Sequence, residues 1–195
     1  MSKADPSAHK KERKKTIRWV VTIFLVTIFV SGIISALSDV IMANSSVPVA
    51  FLILFAIILI GIVFDIIGMA VASADEKPFH AMAARKVAGA KEAIALLRNA
   101  ERVSSICNDV VGDICGVISG SASALIASQI IANFEFSWPR IISLCMSALA
   151  AGLTVGGKAI GKTFAVNSST EIVHGVGRAI YMLHNLPKIL KKKKK

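Results

Sequence analysis

Residues 40–64 read VIMANSSVPVAFLILFAIILIGIVF, a stretch without one charged side chain. A helix of about 20 such residues is long enough to cross the roughly 30 Å hydrocarbon core of a bilayer. Three more uncharged stretches occur in the chain, at Trp19–Ser38, Ile114–Phe134 and Ile141–Gly157. The sequence therefore predicts an all-α polytopic membrane protein with four transmembrane helices.

Two other readings of the apolar stretches are less consistent with the sequence. A globular domain of 195 residues, 54% of them hydrophobic, has too little polar surface to cover four apolar rods. The first stretch is long for a secretory signal, and Ser35-Ala36-Leu37 is its only weak cleavage-like site. We interpret it as an uncleaved transmembrane helix.

The basic residues predict the orientation, because Lys and Arg near span ends stay on the cytoplasmic side. Residues 1–18 carry seven Lys or Arg, residues 75–102 carry six, and residues 158–195 carry nine. The other two connections are poor in charge: residues 42–47 have none, and residues 135–139 have one acid, followed by Arg140. We expect both termini in the cytoplasm, and a location in a bacterial cytoplasmic membrane.

The polar segments divide the chain into three parts. Residues 1–17 are predicted to be a disordered basic arm, residues 18–164 the four-span domain, and residues 165–195 a juxtamembrane helix followed by a polylysine tail. Within the domain, residues 79–103 place apolar side chains at three- and four-residue steps, which predicts one amphipathic cytoplasmic helix at the interface. Glu171–Leu186 has the same periodicity, and Pro187 is expected to end that helix.

The formal net charge of +11 indicates an anionic partner. Nucleic acid is not expected, because the basic residues lie at span ends and tails and are not interleaved with aromatic residues on one face. Anionic lipid headgroups are the expected partner, and the Lys191–Lys195 run is expected to bind them. Without a phosphate-binding glycine loop, a His pair at helical ligand spacing or a Gly-x-Ser-x-Gly elbow, the chain is not expected to be an enzyme or to hold a cofactor.

Three carboxylates lie in or beside the apolar stretches. Asp65 directly follows the second stretch, and Asp109 and Asp113 stand four residues apart, on one helical face, at the start of the third. An ionised carboxylate in hydrocarbon is costly unless it is paired, hydrated or bound to a cation. These residues are candidate cation ligands. The alternative for Asp109 and Asp113 is that they lie at the depth of the lipid headgroups, where an acid at the start of a helix is favourable.

A row of small residues begins in the same region. Gly112, Gly116 and Gly120 repeat at four-residue steps, as in close helix packing, and the row predicts a homodimer packed through small residues. Because the row starts beside Asp113, backbone carbonyls at an ion site are the alternative interpretation.

Several segments together resemble the transmembrane domain of the CNNM/CorC (CorB) magnesium and cobalt transporter family. Residues 157–165 read GKAIGKTFA, similar to the family's Gly-Glu-Ile-x-Pro-Lys-Thr-x-Ala segment, with Gly157, Lys158 and Lys162 at motif positions. Residues 107–111, CNDVV, resemble its Gly-Asn-Asn-Leu-Val, and Ala70–Ala74 is followed by an amphipathic helix, as in the family. The resemblance covers about Phe64 to Leu186. It implies three spans with a cytoplasmic juxtamembrane helix after the first, so Trp19–Ser38 is an addition.

The chain departs from the family where the family's acidic residues stand. Ile67-Gly68-Met69 replaces the family's Ser-Glu-Thr, Lys158 replaces the motif Glu, and Gly161 replaces the motif Pro. Of the residues that the resemblance implies for the metal site, only Asn108 aligns. A lysine in place of the acid puts a fixed cation where a mobile one would bind.

The resemblance implies a divalent-cation transporter, for Mg²⁺ or Co²⁺, with Asn108 as a ligand. From the placement of the carboxylates, and not from the resemblance, we expect Asp65, Asp109 and Asp113 to supply a rearranged site that binds a hard cation through oxygen ligands. Family members usually carry a paired CBS module after the juxtamembrane helix, and here a separate soluble regulatory partner would take its place. The alternatives are a non-transporting membrane scaffold or regulatory subunit that has lost the acidic residues, and a small holin-like pore.

Overall fold

The computed structural model describes residues 6–133 and 138–192, with side chains for residues 16–42, 44–133 and 138–185. Helices connected by short turns make up this part of the chain, which has no strand. Its helices are α1 (Pro6–Ala43), α2 (Val47–Ser73), α3 (Lys77–Ala84), α4 (Ala90–Arg98), α5 (Ala100–Ser105), a π-helical turn (Ile106–Gly112), α6 (Asp113–Asn133), α7 (Pro139–Asn167) and α8 (Ser169–Lys192).

Within the described residues, four helical segments are long and apolar enough to cross a membrane: Thr16–Met42, Val47–Ser73, Ala100–Asn133 and Pro139–Asn167. Each coincides with one of the predicted stretches. The prediction of an all-α polytopic membrane protein with four transmembrane helices is therefore confirmed.

The structure corrects the boundaries of three spans. The second begins at Val47, because Val40–Ala43 belongs to α1 and Pro48 stands in the first turn of α2, where its missing N–H costs nothing. The third begins earlier than Ile114, since α5 and the π-helical turn lead into α6; its predicted end, Phe134, lies outside the described residues. The fourth continues to Asn167 and so contains the whole 157–165 motif.

Both ends of the described chain are more helical than predicted. In contrast to the disordered arm predicted for residues 1–17, α1 begins at Pro6, since adding residues to an existing helix is far easier than nucleating one. In contrast to the predicted end at Pro187, α8 continues to Lys192, through Leu and Lys residues of high helix propensity. Residues 1–5 of the arm and 193–195 of the lysine tail lie outside the described residues.

The single amphipathic helix predicted for residues 79–103 is wrong: the segment forms α3, α4 and α5. The first break includes Lys86 (φ 56°) and Gly89 (φ 88°), which adopt left-handed conformations that a helix cannot contain. Gly89 lies directly against the backbone of Gly177 and Arg178 in α8. The helix is therefore interrupted where the chain packs closely on α8. Phe79, Ala93 and Val173 are fully buried in the apolar cluster that results.

Helix α2 is the centre of the molecule. It packs against α6 and α7 within the transmembrane region and against α5, the π-helical turn and α8 towards its C-terminal end. Helix α1 packs mainly on α6, where Ile23 and Val30 contact the cluster of Val110, Ile114 and Ile118. Asp65, the one charged residue of α2, therefore faces other helices of the same chain, and this arrangement creates the candidate site.

Candidate intramembrane ion site

The candidate site is built around Asp65, in the C-terminal half of α2. Asp65 is only 3% exposed, although it belongs to a helix that is otherwise almost entirely apolar. Gly61 lies one turn before it, so close to α6 that a Cβ atom there would stand 2.8 Å from Cβ of Cys115. The absence of a side chain at Gly61 lets α6 approach α2 and enclose the carboxylate.

The Lys158 side chain of α7 reaches this carboxylate. Its Nζ lies 3.8 Å from Oδ1 of Asp65 and 3.6 Å from Oδ1 of Asp113, and donates a hydrogen bond to the Gly112 carbonyl at 3.2 Å. The lysine side chain is 18% exposed, whereas that of Asp113 is 71% exposed. One ammonium thus bridges a buried carboxylate, an accessible carboxylate and a backbone carbonyl.

Gly157 and Gly161 of α7 determine how close Lys158 lies to α2. Gly157 packs directly on the side chain of Ile62, and a Cβ atom at Gly161 would stand 2.8 Å from the Ile66 side chain, so α7 lies close along α2. Lys158 and Lys162 are one helical turn apart and therefore both point towards the Asp65 region. Nζ of Lys162 lies 3.9 Å from Oδ2 of Asp65, and its side chain is half exposed.

Charge balances in this group, but hydrogen bonding is incomplete. Two ammonium groups face two carboxylates, at separations of 3.6–3.9 Å that exceed hydrogen-bond length. Oδ2 of Asp65 is buried without a hydrogen-bond partner in the described part of the chain. A buried carboxylate oxygen without a hydrogen-bond donor has a lone pair that is free to bind a cation.

Asn108 supplies a second oxygen of this kind. It stands in the π-helical turn, a conformation frequent at functional sites, and its amide NH₂ donates to Oγ of Ser104 at 3.2 Å. Its Oδ1 is buried without a partner among the described residues and lies directly against Gly68. Gly68 follows Asp65 by three residues, so Asn108 contacts α2 on the face that carries Asp65. A side chain at position 68 would displace Asn108.

The predicted ligand set is only partly brought together. Asp65 and Asp113 share Lys158, and Asn108 packs beside them through Gly68. Asp109 instead accepts a hydrogen bond from Oγ of Ser105 at 2.8 Å, on an exposed surface. The described residues contain no cluster of three or more His, Cys, Asp or Glu side chains placed to hold a metal ion.

The glycine row borders a cleft between α6 and α7. A Cβ atom at Gly112 would lie 3.3 Å from Nζ of Lys158, whereas at Gly116 and Gly120 it would meet no atom within 4 Å. The cleft has a volume of about 550 Å³ and ends at Asp113 and Lys158. Its hydroxyl groups belong to Ser119, Ser123, Ser147 and Thr154. The cleft thus leads along the glycine row to the ion pair; its lining is mostly apolar, and the hydroxyls of Ser119, Ser123 and Thr154 donate to carbonyls of their own helices.

Sequence reasoning identified Asp65, Asp113, Asn108 and Lys158 separately but missed their grouping around Lys158. It also missed Gly61, Gly68 and Ser104, whose positions matter only once α2 and the π-helical turn are in contact. The sequence did contain one signal for this grouping. Lys158 and Lys162 stand one turn apart at the end of an apolar span and need acidic partners, and Asp65 is the acid nearest the end of a neighbouring span.

The group combines oxygen ligands with a fixed ammonium. Its oxygens, from two carboxylates, an amide and a carbonyl, are ligands that hard divalent cations prefer. With Lys158 in place the geometry fits an ammonium ion, so a divalent ion needs the lysine to move away. No protein-family model, curated protein or solved structure matches this chain, so its likeness to the CNNM/CorC transmembrane domain rests on the residues alone.

Proposed function

We propose that this chain binds a divalent cation such as Mg²⁺ within the membrane and moves it across, with the Lys158 ammonium as the resident cation that the incoming ion displaces. One observation carries this proposal. Among the described residues, a buried oxygen of Asp65 and a buried amide oxygen of Asn108 both lack a hydrogen-bond donor, and the Lys158 ammonium lies 3.8 Å from the Asp65 carboxylate. Intramembrane ionisable groups of this kind mark ion pathways.

The cleft supplies the approach to the site. An ion that enters between α6 and α7 passes hydroxyl groups and meets the exposed carboxylate of Asp113 before it reaches buried Asp65. Lys158 borders the same cleft, so its ammonium has room to move into it when the ion arrives. Asp65, Asn108 and the Gly112 carbonyl then replace part of the hydration shell, which Mg²⁺ sheds reluctantly.

The remaining features of the proposal follow from the sequence. We place the protein in a bacterial cytoplasmic membrane with both termini inside, as the basic segments indicate. We also retain the homodimer packed through small residues that the sequence predicts; because Gly116 and Gly120 line the cleft, its contact surface then lies elsewhere. The basic tails bind anionic headgroups, and a separate soluble partner would regulate transport.

Flux measurements test the proposal. Purified protein in liposomes should take up Mg²⁺ down an imposed gradient, reported by an enclosed magnesium dye. Asp65→Asn should lower the uptake by about an order of magnitude or more, because the ligand charge that binds the ion is lost. Asp39→Asn, which changes an exposed acid on α1, is the matched control and should leave the uptake unchanged. Equal uptake by wild type and Asp65→Asn would reject the site.

A second candidate is a non-transporting scaffold or regulatory subunit. It is favoured by the ion pairs themselves, since Lys158 and Lys162 already neutralise both carboxylates. On this reading wild-type protein moves no Mg²⁺ under any gradient, and clear cation-selective uptake eliminates it. Release of an enclosed uncharged sugar would instead indicate the pore-like alternative.

A further inference from the structure

An apolar cavity lies between α1, α2 and α6, away from the ion site. It has a volume of about 220 Å³. Its lining side chains carry no charged or hydroxyl group and come from all three helices, including Val30, Ile34, Ile57, Ile60, Ile114 and Ile118. Cavities of this character stay free of water and accept apolar ligands.

A basic aromatic cluster marks the membrane surface above this cavity. The guanidinium of Arg102, which precedes the π-helical turn, lies 5.2 Å from the centre of the Trp19 ring on α1. Arg18, next to Trp19, is exposed, and so is Arg102. Tryptophan and arginine together at a span end are typical of the headgroup level, where the positive charges attract anionic lipid.

The distance between the two features fits one lipid molecule. Trp19 and Val30 are eleven residues apart on α1, or about 16 Å along the helix axis at 1.5 Å per residue. Half of the hydrocarbon core is about 15 Å thick. A lipid with its headgroup at the two arginines therefore has an acyl chain that ends at the depth of the cavity.

The contacts of α1 leave this space open to lipid. Helix α1 packs mainly on α6 and hardly touches α2, and none of its most apolar stretch is buried inside the protein. The space between α1 and α2 thus faces the bilayer, where acyl chains are the abundant apolar species. Arg18 and Arg102 add charge complementarity for an acidic headgroup.

We propose that α1, α2 and α6 form a binding site for one anionic phospholipid, with the phosphate at Arg18 and Arg102 and an acyl chain in the apolar cavity. The site is independent of the ion site and of its proposed function. It gives the added first helix a role, since without α1 neither the cavity nor the Trp19–Arg102 cluster exists.

Native mass spectrometry of the detergent-purified protein tests the proposal with phosphatidylglycerol and phosphatidylcholine of identical chains. We expect one tightly retained phosphatidylglycerol, preferred over phosphatidylcholine by about fivefold for each arginine that contacts the headgroup. Arg18→Gln with Arg102→Gln should remove the preference. Equal retention of the two lipids by wild type would overturn the proposal.

Cavity filling tests the acyl-chain part. Ile34→Phe places a larger side chain at an exposed position that lines the cavity, whereas Ile33→Phe makes the same change at a similarly exposed neighbouring position that does not line it. Retention of phosphatidylglycerol should fall severalfold in Ile34→Phe only. If both variants behave like wild type, no acyl chain occupies the cavity. Thermal unfolding of the two variants, measured in parallel, shows whether α1 remains packed.

Discussion

Lys158 matters most at the scale of the single residue, because its charge lies beside a carboxylate that is almost fully buried. Lys158→Met leaves Asp65 without its closest counterion, and removing one partner of a buried pair costs about 3 kcal/mol. We expect a clearly lower thermal unfolding midpoint in detergent. Adding Asp65→Asn to the same chain should restore most of the loss, since no uncompensated carboxylate remains.

Lys162→Met is the matched control for this prediction. Its ammonium lies 3.9 Å from the same carboxylate, but its side chain is half exposed, so the expected cost is below about 1 kcal/mol. Equal destabilisation by the two lysine variants, or no rescue by Asp65→Asn, would show that Lys158 does not stabilise the fold through Asp65.

Asp65 could be singled out from the sequence, whereas its pairing with Lys158 could not. Asp65 stood out because an acid at the end of a long apolar stretch demands an explanation, and the structure buries it as expected of a paired group. Its partner did not stand out, because which lysine reaches it depends on how closely α7 approaches α2. That distance is set by Gly157 and Gly161 against isoleucine side chains, a tertiary contact that periodicity does not encode.

At the scale of the elements, the crossing of α4 and α8 is the most demanding contact. A Cβ atom at Gly177 would stand 2.5 Å from the Gly89 carbonyl oxygen and 3.0 Å from N of Ala93, so backbone must move to admit it. Gly177→Ala should therefore destabilise the protein by about 1–3 kcal/mol. Thermal unfolding in detergent measures the change.

Gly175→Ala is a control in which the expected change in stability has the opposite sign. It lies two residues earlier on α8 with no atom within 4 Å of an added Cβ, so Gly175→Ala should stabilise the helix by up to about 1 kcal/mol. A loss of stability in Gly175→Ala equal to that in Gly177→Ala would contradict the tight crossing. The periodicity of residues 79–103 suggested one helix because most of its apolar positions are buried or partly buried, but Val87 is exposed, and a periodicity does not encode the positive φ at Gly89.

At the scale of the whole molecule, the four spans were predictable because uncharged stretches of this length have few stable alternatives. The orientation of the spans in the membrane is a separate prediction.

In a chain without Cys107, Cys115 and Cys145, a cysteine at exposed Ser46 should react with an impermeant maleimide in intact cells. A cysteine at exposed Ala84 should react only after the membrane is opened. The reverse pattern would place the termini outside.

The central claim is that the Lys158 ammonium stands where a mobile cation would bind beside Asp65. Calorimetric titration of Mg²⁺ into purified wild-type protein and Lys158→Met tests it directly, with Lys162→Met as the comparison. We expect tighter Mg²⁺ binding after removal of the Lys158 competitor, and loss of that gain when Asp65→Asn is added. Identical Mg²⁺ affinity in wild type and Lys158→Met, or a gain that persists without the Asp65 carboxylate, would contradict it.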